Sequence, residues 1–179
     1  MGLHLVGFAG WSGAGKTTLI EQLIPRLRQA GQWVAVPKHA HHAFDIDLPG
    51  KDSWRHRQAG ACEVVVASRR RTAVIRERAV EAEPTLAGML VELRPPAQDA
   101  WVLVEGFRYE PIPKIEVWRA ATGQAPRYAE DPHIVAIATD EAGALPVPTH
   151  LPVLDLNRAA DVVAFLLDNA SRYEYPPAT

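Results

Sequence analysis

The sequence is short of cysteine, of long apolar runs and of any large excess of one charge. Its single cysteine, Cys62, excludes an intrachain disulfide framework and a C-x-x-C metal site. We therefore expect a protein of the reducing cytoplasm in which Cys62 is a small core residue. No apolar run reaches membrane-spanning length, and the net charge is only −2. Neither a membrane nor a nucleic acid is an expected partner.

The remaining composition is typical of a globular domain. Hydrophobic residues make up 47% and charged residues 22% of a 179-residue chain, which is long enough for one domain with a sizeable core. Apolar strands alternate with helical patterns, and this alternation favours an α/β fold with a mostly parallel sheet flanked by helices. We expect a single domain over residues 1–172 and a mobile tail at 173–179.

Hydrophobic periodicity and turn residues predict the order of the elements. Strands are predicted at residues 3–9, 33–36, 63–67, 100–104, 114–119, 133–138 and 153–156. Helices are predicted at residues 18–29, 54–59, 84–93 and 158–169. The segment 114–119 alternates polar and apolar residues, so we expect a half-exposed strand at an edge of the sheet.

A glycine-rich loop follows the first predicted strand. It consists of Gly10, Trp11, Ser12, Gly13, Ala14, Gly15, Lys16, Thr17 and Thr18. The pattern G-x-x-x-x-G-K-[ST] between a strand and a helix is typical of the phosphate-binding loop of P-loop NTPases. Its backbone N–H groups and the start of the helix surround phosphate oxygens. Lys16 is expected to reach the β- and γ-phosphates, and the Thr17 hydroxyl to ligate Mg²⁺.

Two acids stand at the ends of predicted strands, Glu105 and Asp140. Ligands of open α/β sheets bind at the carboxyl ends of the strands. Glu105 is therefore expected to hold Mg²⁺ or orient an attacking water, and Gly106 to bring its N–H to the γ-phosphate. The carboxylate of Asp140 is able to accept two hydrogen bonds from guanine, or else it only begins a turn. Lys16 and Glu105 are the predicted catalytic residues.

A polar stretch after the second predicted strand carries acids and histidines. Asp45 and Asp47 point the same way in an extended chain, which suits Mg²⁺, although a solvated acidic loop is the alternative. The pattern does not decide which of the two faces the metal. His39, His41 and His42 allow three interpretations: a transition-metal site, an anion site with the basic residues nearby, or a surface loop.

Several motifs in order along the chain resemble one protein family. They are G-x-S-G-x-G-K-T-T-L at 10–19, K-H-x-H-H-x-F-D-I-D at 38–47, P-G-K-D-S-x-R-H-R-x-A-G-A at 49–61, V-E-G-F at 104–107 and P-K-I-E-V at 113–117. The first motif is shared by many NTPases, whereas the second and third are highly specific. With them the chain resembles the molybdopterin-guanine dinucleotide biosynthesis adaptor proteins (MobB). Arg108 stands where we expect lysine in that family, and the charge is kept.

The resemblance implies a GTP-binding protein with weak GTPase activity and Mg²⁺ as a cofactor. Such a protein assists the guanylyltransferase that joins GMP to molybdopterin. The family is similar to a dimer-forming branch of P-loop GTPases, so a homodimer is expected. Two other functions remain open from the residues alone: a small-molecule P-loop kinase, and a metallochaperone GTPase of the nickel-insertion type.

Overall fold

The computed structural model describes residues 2–40, 44–95 and 99–175. The chain folds as two compact units, one formed by Met1–His39 with Thr85–Thr179 and the other by Ala40–Pro84. The smaller unit is therefore an insertion in the sequence of the larger one. The larger unit contains the glycine-rich loop.

The predicted elements are present, and their boundaries differ from the predicted ones by at most two residues. The strands are β1 (Leu3–Ala9), β2 (Trp33–Ala35), β3 (Glu63–Ala67), β4 (Thr72–Arg76), β5 (Ala100–Glu105), β6 (Lys114–Trp118), β7 (Ile134–Thr139), β8 (Val153–Asp155) and β9 (Glu174–Tyr175). The helices are α1 (Lys16–Gln29), α2 (Asp52–Gln58), α3 (Leu86–Val91) and α4 (Ala159–Asp168). None of the helices in the described ranges has the length and apolar character needed to span a membrane.

Seven strands of the described residues form one sheet, in the order β2-β5-β1-β6-β7-β8, with β9 paired to β1. All neighbours along the order are parallel, and only β9 runs antiparallel. The prediction of a mostly parallel sheet is confirmed. Because parallel strands share one direction, their carboxyl ends meet at one edge of the sheet.

Helices and loops cover both faces of this sheet. The odd and even residues of β1 and β5 separate into different cores, as a two-residue side-chain period requires. On one face, Val6 and Leu103 pack with the buried side of α1 and α4. On the other, Leu5 and Val102 pack with Leu86 of α3. The strands therefore read as continuous apolar runs in the sequence.

The edge position expected for β6 is wrong. β6 lies between β1 and β7, and all five of its residues are buried. Its polar residues are not turned to solvent. Lys114 donates to Asp131 over 2.9 Å, and Glu116 accepts backbone N–H groups from Arg127 and Tyr128. The alternating pattern thus reflects polar partners supplied by the following loop.

The end of the described chain is packed rather than detached. The mobile tail is expected from residue 173, yet Tyr173 is 1% exposed, and Glu174 and Tyr175 pair with His4 and Leu3 of β1. Residues 176–179 lie outside the described residues. The single-turn segment before β9 carries Tyr173 under the sheet, where its ring contacts Trp101.

The smaller unit contains α2 and an antiparallel hairpin formed by β3 and β4. This hairpin is a separate two-stranded sheet, and most of its residues are exposed. Cys62, expected in the core, is exposed, so that prediction is wrong. The cysteine lies directly before β3, whose apolar residues are mostly left uncovered within this unit.

Candidate functional site

Chemically active residues meet at the carboxyl edge of the large sheet. The glycine-rich loop follows β1, Glu105 ends β5, and Asp140 follows β7. Arg119, which follows β6, joins them there and was not singled out by the sequence analysis. The rule that identified Glu105 and Asp140, a polar residue just after an apolar strand, applies equally to Arg119.

The loop requires glycine where it leaves β1. Gly10 has a φ of 133°, and a Cβ atom there would lie 2.3 Å from the carbonyl oxygen of Val117 in β6. No real Cβ contact is that short, so the loop passes directly against the neighbouring strand. Gly15, with a φ of 102°, is the residue from which α1 begins. The helix thus starts at Lys16, inside the phosphate-binding pattern.

The ammonium group of Lys16 lies within the curve of the loop. Its Nζ atom donates to the carbonyl oxygens of Gly10 and Trp11 over 2.9 and 2.8 Å. Burial lowers the pKa of Lys16, Glu105 partly offsets this, and Arg127 and Lys38 lower the pKa further. Lys16 is therefore a partly desolvated cation with other cations nearby, an arrangement that favours an anionic ligand.

Glu105 and Thr17 face each other across the start of the loop. The Thr17 hydroxyl donates to one carboxylate oxygen of Glu105 over 2.8 Å. The other oxygen lies 3.6 Å from Nζ of Lys38, and Glu105 is 8% exposed. A hydroxyl and a carboxylate side by side are hard oxygen ligands of the kind that Mg²⁺ takes. The two predicted magnesium residues of this unit are thus adjacent and chemically suited to the ion.

The chain after β2 continues alongside β5 and lies next to Gly106. The backbone N–H of His39 donates to the carbonyl of Glu105 over 3.0 Å, and the imidazole stacks on Phe107. Gly106 has a φ of 96°, and a Cβ atom there would lie 3.0 Å from Cβ of His39. Glycine is therefore needed beside Glu105. His41 and His42 lie outside the described residues.

Asp140 forms an ion pair in this structure. One of its carboxylate oxygens lies 3.2 Å from a terminal nitrogen of Arg119. The same guanidinium lies 3.7 Å from the Cβ position of Gly15, so Arg119 connects Asp140 to the glycine-rich loop. Its Nε atom is buried without a hydrogen-bond partner among the described residues.

The sequence analysis also missed a second arginine, Arg127, whose side chain packs against Trp11 of the glycine-rich loop. Its guanidinium carbon is 4.5 Å from the centre of a Trp11 ring, and the indole N–H of Trp11 donates to the carbonyl of Ala125 over 2.8 Å. Arg127 lies in a segment without regular secondary structure, so no periodicity marked it.

Asp45 and Asp47 belong to the smaller unit, where both contact Arg57. The guanidinium of Arg57 lies 3.0 Å from Asp45 and 3.3 Å from Asp47, and it also binds Glu77. The N–H of Asp47 and then Arg57 hold the pKa of Asp45 below its usual value, while Glu77 and Asp45 raise that of Arg57. The two carboxylates share one partner, as their spacing predicted, but that partner is a cation of the chain.

No group of three or more histidine, cysteine or acidic side chains in the described ranges is placed to hold a metal ion. The transition-metal interpretation of the histidine stretch therefore gains no support from His39, the one member of the stretch that the structure describes.

A parallel sheet with a glycine-rich loop between β1 and α1 defines this chain as a protein of the P-loop NTPase fold. The family model for molybdopterin guanine dinucleotide synthesis protein B matches residues 5–140, and the chain belongs to that family. The resemblance inferred from the motifs is thereby confirmed.

Similar proteins cover nearly the whole chain. The molybdopterin-guanine dinucleotide biosynthesis adapter protein of Escherichia coli is 38% identical over 93% of this chain and 93% of its own length. The adapter protein of Haemophilus influenzae is 38% identical over 92% of this chain and 88% of its own length. The crystal structure of Bacillus subtilis MobB superposes with a TM-score of 0.69 at 21% identity, covering 97% of this chain and 99% of that one, and supports the fold.

Proposed function

We propose that this chain binds Mg²⁺–GTP, hydrolyses it slowly, and acts in the cytoplasm as an adapter in molybdopterin-guanine dinucleotide biosynthesis. The observation that carries the nucleotide part is the pairing of Thr17 with Glu105 beside Lys16. It brings a hydroxyl, a strand-end carboxylate and a partly desolvated cation to one loop. The adapter role rests on the family and on the names of the 38% identical relatives.

The loop and the end of β5 have distinct tasks in this proposal. The backbone N–H groups of the loop hold the phosphate oxygens, and Lys16 meets the β- and γ-phosphates. Thr17 and Glu105 would hold the magnesium ion, which neutralises charge on the phosphates when bound. Glu105 also orients the attacking water, and Gly106 brings its backbone close enough to approach the γ-phosphate. Because no further base is assigned, hydrolysis is expected to be slow.

We assign recognition of guanine to Asp140. Its carboxylate accepts from the N1–H and the 2-amino group, a pattern that adenine does not present. The ion pair with Arg119 orients one carboxylate oxygen before the base arrives. A bidentate contact with guanine therefore requires Asp140 to share that oxygen or to turn away from Arg119.

The metal role of Asp45 or Asp47 remains a prediction. Both carboxylates are engaged by Arg57, so a magnesium contact requires one of them to give up part of that ion pair. Asp47 also accepts from the Ser53 hydroxyl over 2.8 Å, whereas Asp45 lacks that further contact and is the more exposed of the two.

We further propose two protein partners. One is the guanylyltransferase that attaches GMP to molybdopterin, and the other is a second copy of the chain. The transferase follows from the pathway in which the relatives are named. The homodimer rests on the family resemblance alone. An edge strand at β6 would have offered a surface for pairing two copies, but β6 lies inside the sheet.

A binding titration tests the nucleotide proposal directly. Wild type and Lys16→Ala are titrated with GTP in the presence of Mg²⁺ by calorimetry, and both are checked by thermal unfolding. Lys16→Ala should lose measurable affinity while keeping its fold, because the ammonium faces loop carbonyls rather than the apolar core. Unchanged affinity in the variant would refute the site. Pulldown of the transferase with and without GTP tests the adapter role.

A further inference from the structure

Arg127 is placed as a second cation at the same part of the loop as Lys16. Lys16 donates to the carbonyls of Gly10 and Trp11, and Arg127 lies over the ring of Trp11. We propose that Arg127 contacts the terminal phosphate of bound GTP and thereby makes the site prefer the triphosphate to the diphosphate. This inference rests on the proposed function, since it needs a nucleotide on the loop.

Buried hydrogen bonds hold the backbone of Arg127 at this position. Glu116 of β6 is fully buried, and its two carboxylate oxygens accept from the backbone N–H of Arg127 over 2.8 and 3.0 Å. It also accepts from the N–H of Tyr128 over 2.7 Å. The carbonyl of Ala125 accepts from the indole of Trp11. The backbone around Arg127 is therefore fixed to the central sheet on one side and to the glycine-rich loop on the other.

The electrostatics at this position favour an anion. Within the described residues, the guanidinium of Arg127 has no carboxylate at ion-pair distance, whereas that of Arg119 has Asp140. The buried carboxylate of Glu116 interacts with the charge of Arg127 without forming an ion pair with it. Burial lowers the pKa of Lys16, and Arg127 contributes to the same lowering, so the two cations interact unfavourably. A phosphate between them relieves this repulsion. A guanidinium supplies several donors in one plane, which suits phosphate oxygens.

The preference for the terminal phosphate follows from the position of Lys16. The lysine of a P-loop meets the β- and γ-phosphates. Arg127 lies over the ring of Trp11, and the carbonyl of Trp11 accepts from the Lys16 ammonium, so the guanidinium is near the same end of the nucleotide. The guanidinium rests on an aromatic face rather than in an ion pair, and such a contact at a partly exposed site is weak enough to exchange for a phosphate.

Affinities for a non-hydrolysable GTP analogue and for GDP, with Mg²⁺ in both titrations, test this role. In Arg127→Gln the preference for the GTP analogue over GDP should fall about tenfold relative to wild type, the loss of a charged hydrogen bond. Arg127→Lys should retain most of the preference, because the charge remains. Arg26→Gln removes the same charge near the far end of α1, about 15 Å along the helix from Lys16, and should leave the preference unchanged.

The outcomes separate this inference from the proposal beneath it. If Arg127 only covers Trp11, Arg127→Gln weakens both nucleotides alike and the preference is unchanged, which overturns the inference alone. If wild type binds neither nucleotide, both proposals fail. Should Arg127→Gln not fold, Arg127→Met gives the same test at similar side-chain length.

Discussion

Glu105 combines a contact to Thr17 with a position at the end of β5, so its charge is aimed at the phosphate loop. We expect Glu105→Gln to slow GTP hydrolysis on the order of a hundredfold. The affinity for GTP should change much less, because a group acting on water or metal matters most in the transition state. Single-turnover phosphate release and a GTP titration measure the two quantities. Unchanged hydrolysis with a collapse in affinity would make Glu105 a ground-state contact.

If the carboxylate of Asp140 hydrogen-bonds the guanine base, Asp140 determines which nucleotide the site prefers. Asp140→Asn replaces one acceptor oxygen with an amide donor, and xanthine carries an oxygen where guanine carries its 2-amino group. The variant should therefore lose on the order of tenfold in GTP affinity and gain relative affinity for XTP. Competition of GTP, ATP and XTP against a fluorescent nucleotide measures the ranking. An identical ranking in both proteins would leave Asp140 as the partner of Arg119 only.

At the residue scale, the sequence identifies candidate site residues that belong to a local motif. Lys16 and Thr17 follow from fixed spacing within one loop, and their contacts to the loop and to Glu105 agree with that spacing. Arg127 does not follow, because its position depends on Glu116, eleven residues away, and on Trp11 in another segment. Glu105 could still be predicted because it ends an apolar strand, whereas Arg127 stands in an irregular segment with no such marker.

β6 illustrates the same limit at the scale of an element. Its extent was predicted within one residue, yet its polar alternation indicated the wrong environment. A strand with one solvent-facing side and a strand with buried polar partners have the same period of two. Only the loop that supplies Asp131 and the N–H groups of Arg127 and Tyr128 distinguishes them.

Removing one partner of the buried ion pair of β6 should destabilise the fold. Lys114 is 2% exposed and donates to Asp131, so Asp131→Asn leaves a buried ammonium without its counter-charge. We expect a loss of about 3–5 kcal/mol in the free energy of unfolding. Adding Lys114→Met should recover much of it, because a buried pair is often replaceable by an apolar residue. Urea unfolding of the single and double variants gives both values.

The same pair predicts a dependence on acid. Burial would raise the pKa of Asp131, but the hydrogen bonds from Lys114 and from the N–H of His133 outweigh it, and the pKa lies below its ordinary value of 3.8. The stabilising contribution is therefore present above pH 3.8 and is lost as the pH falls through the lower, folded-state value. Asp131→Asn should lack that part of the acid dependence, whereas a curve parallel to wild type would count against the pair.

At the scale of the whole molecule, the sequence predicts the class of fold but not which strands pair with each other. Strands alternating with helices gave the parallel sheet correctly. The segment Ala40–Pro84 carries a strand pattern that looks like a further member of that sheet, yet among the described residues β3 and β4 pair only with each other. Strand periodicity identifies a strand without identifying its partner.

Association of two copies is the prediction for the intact molecule. A monomer has a mass of 19.6 kDa, and light scattering at micromolar concentration should give about twice that value if the family resemblance extends to assembly. The measurement is made with and without GTP, because nucleotide stabilises whichever state binds it more tightly. A monomer mass under both conditions would remove the homodimer.

The pairing of β9 with β1 brings the two ends of the described chain side by side, since Leu3 lies opposite Tyr175. A short peptide joining them would make the backbone a closed ring without bending the sheet. Ring closure removes conformations from the unfolded ensemble, so a cyclised chain would resist heating better than the linear one.

The ring would also allow the chain to be opened at a different position. The exposed turn at Gly123 is such a place, and a permuted chain starting there would keep β1 and β9 as continuous neighbours.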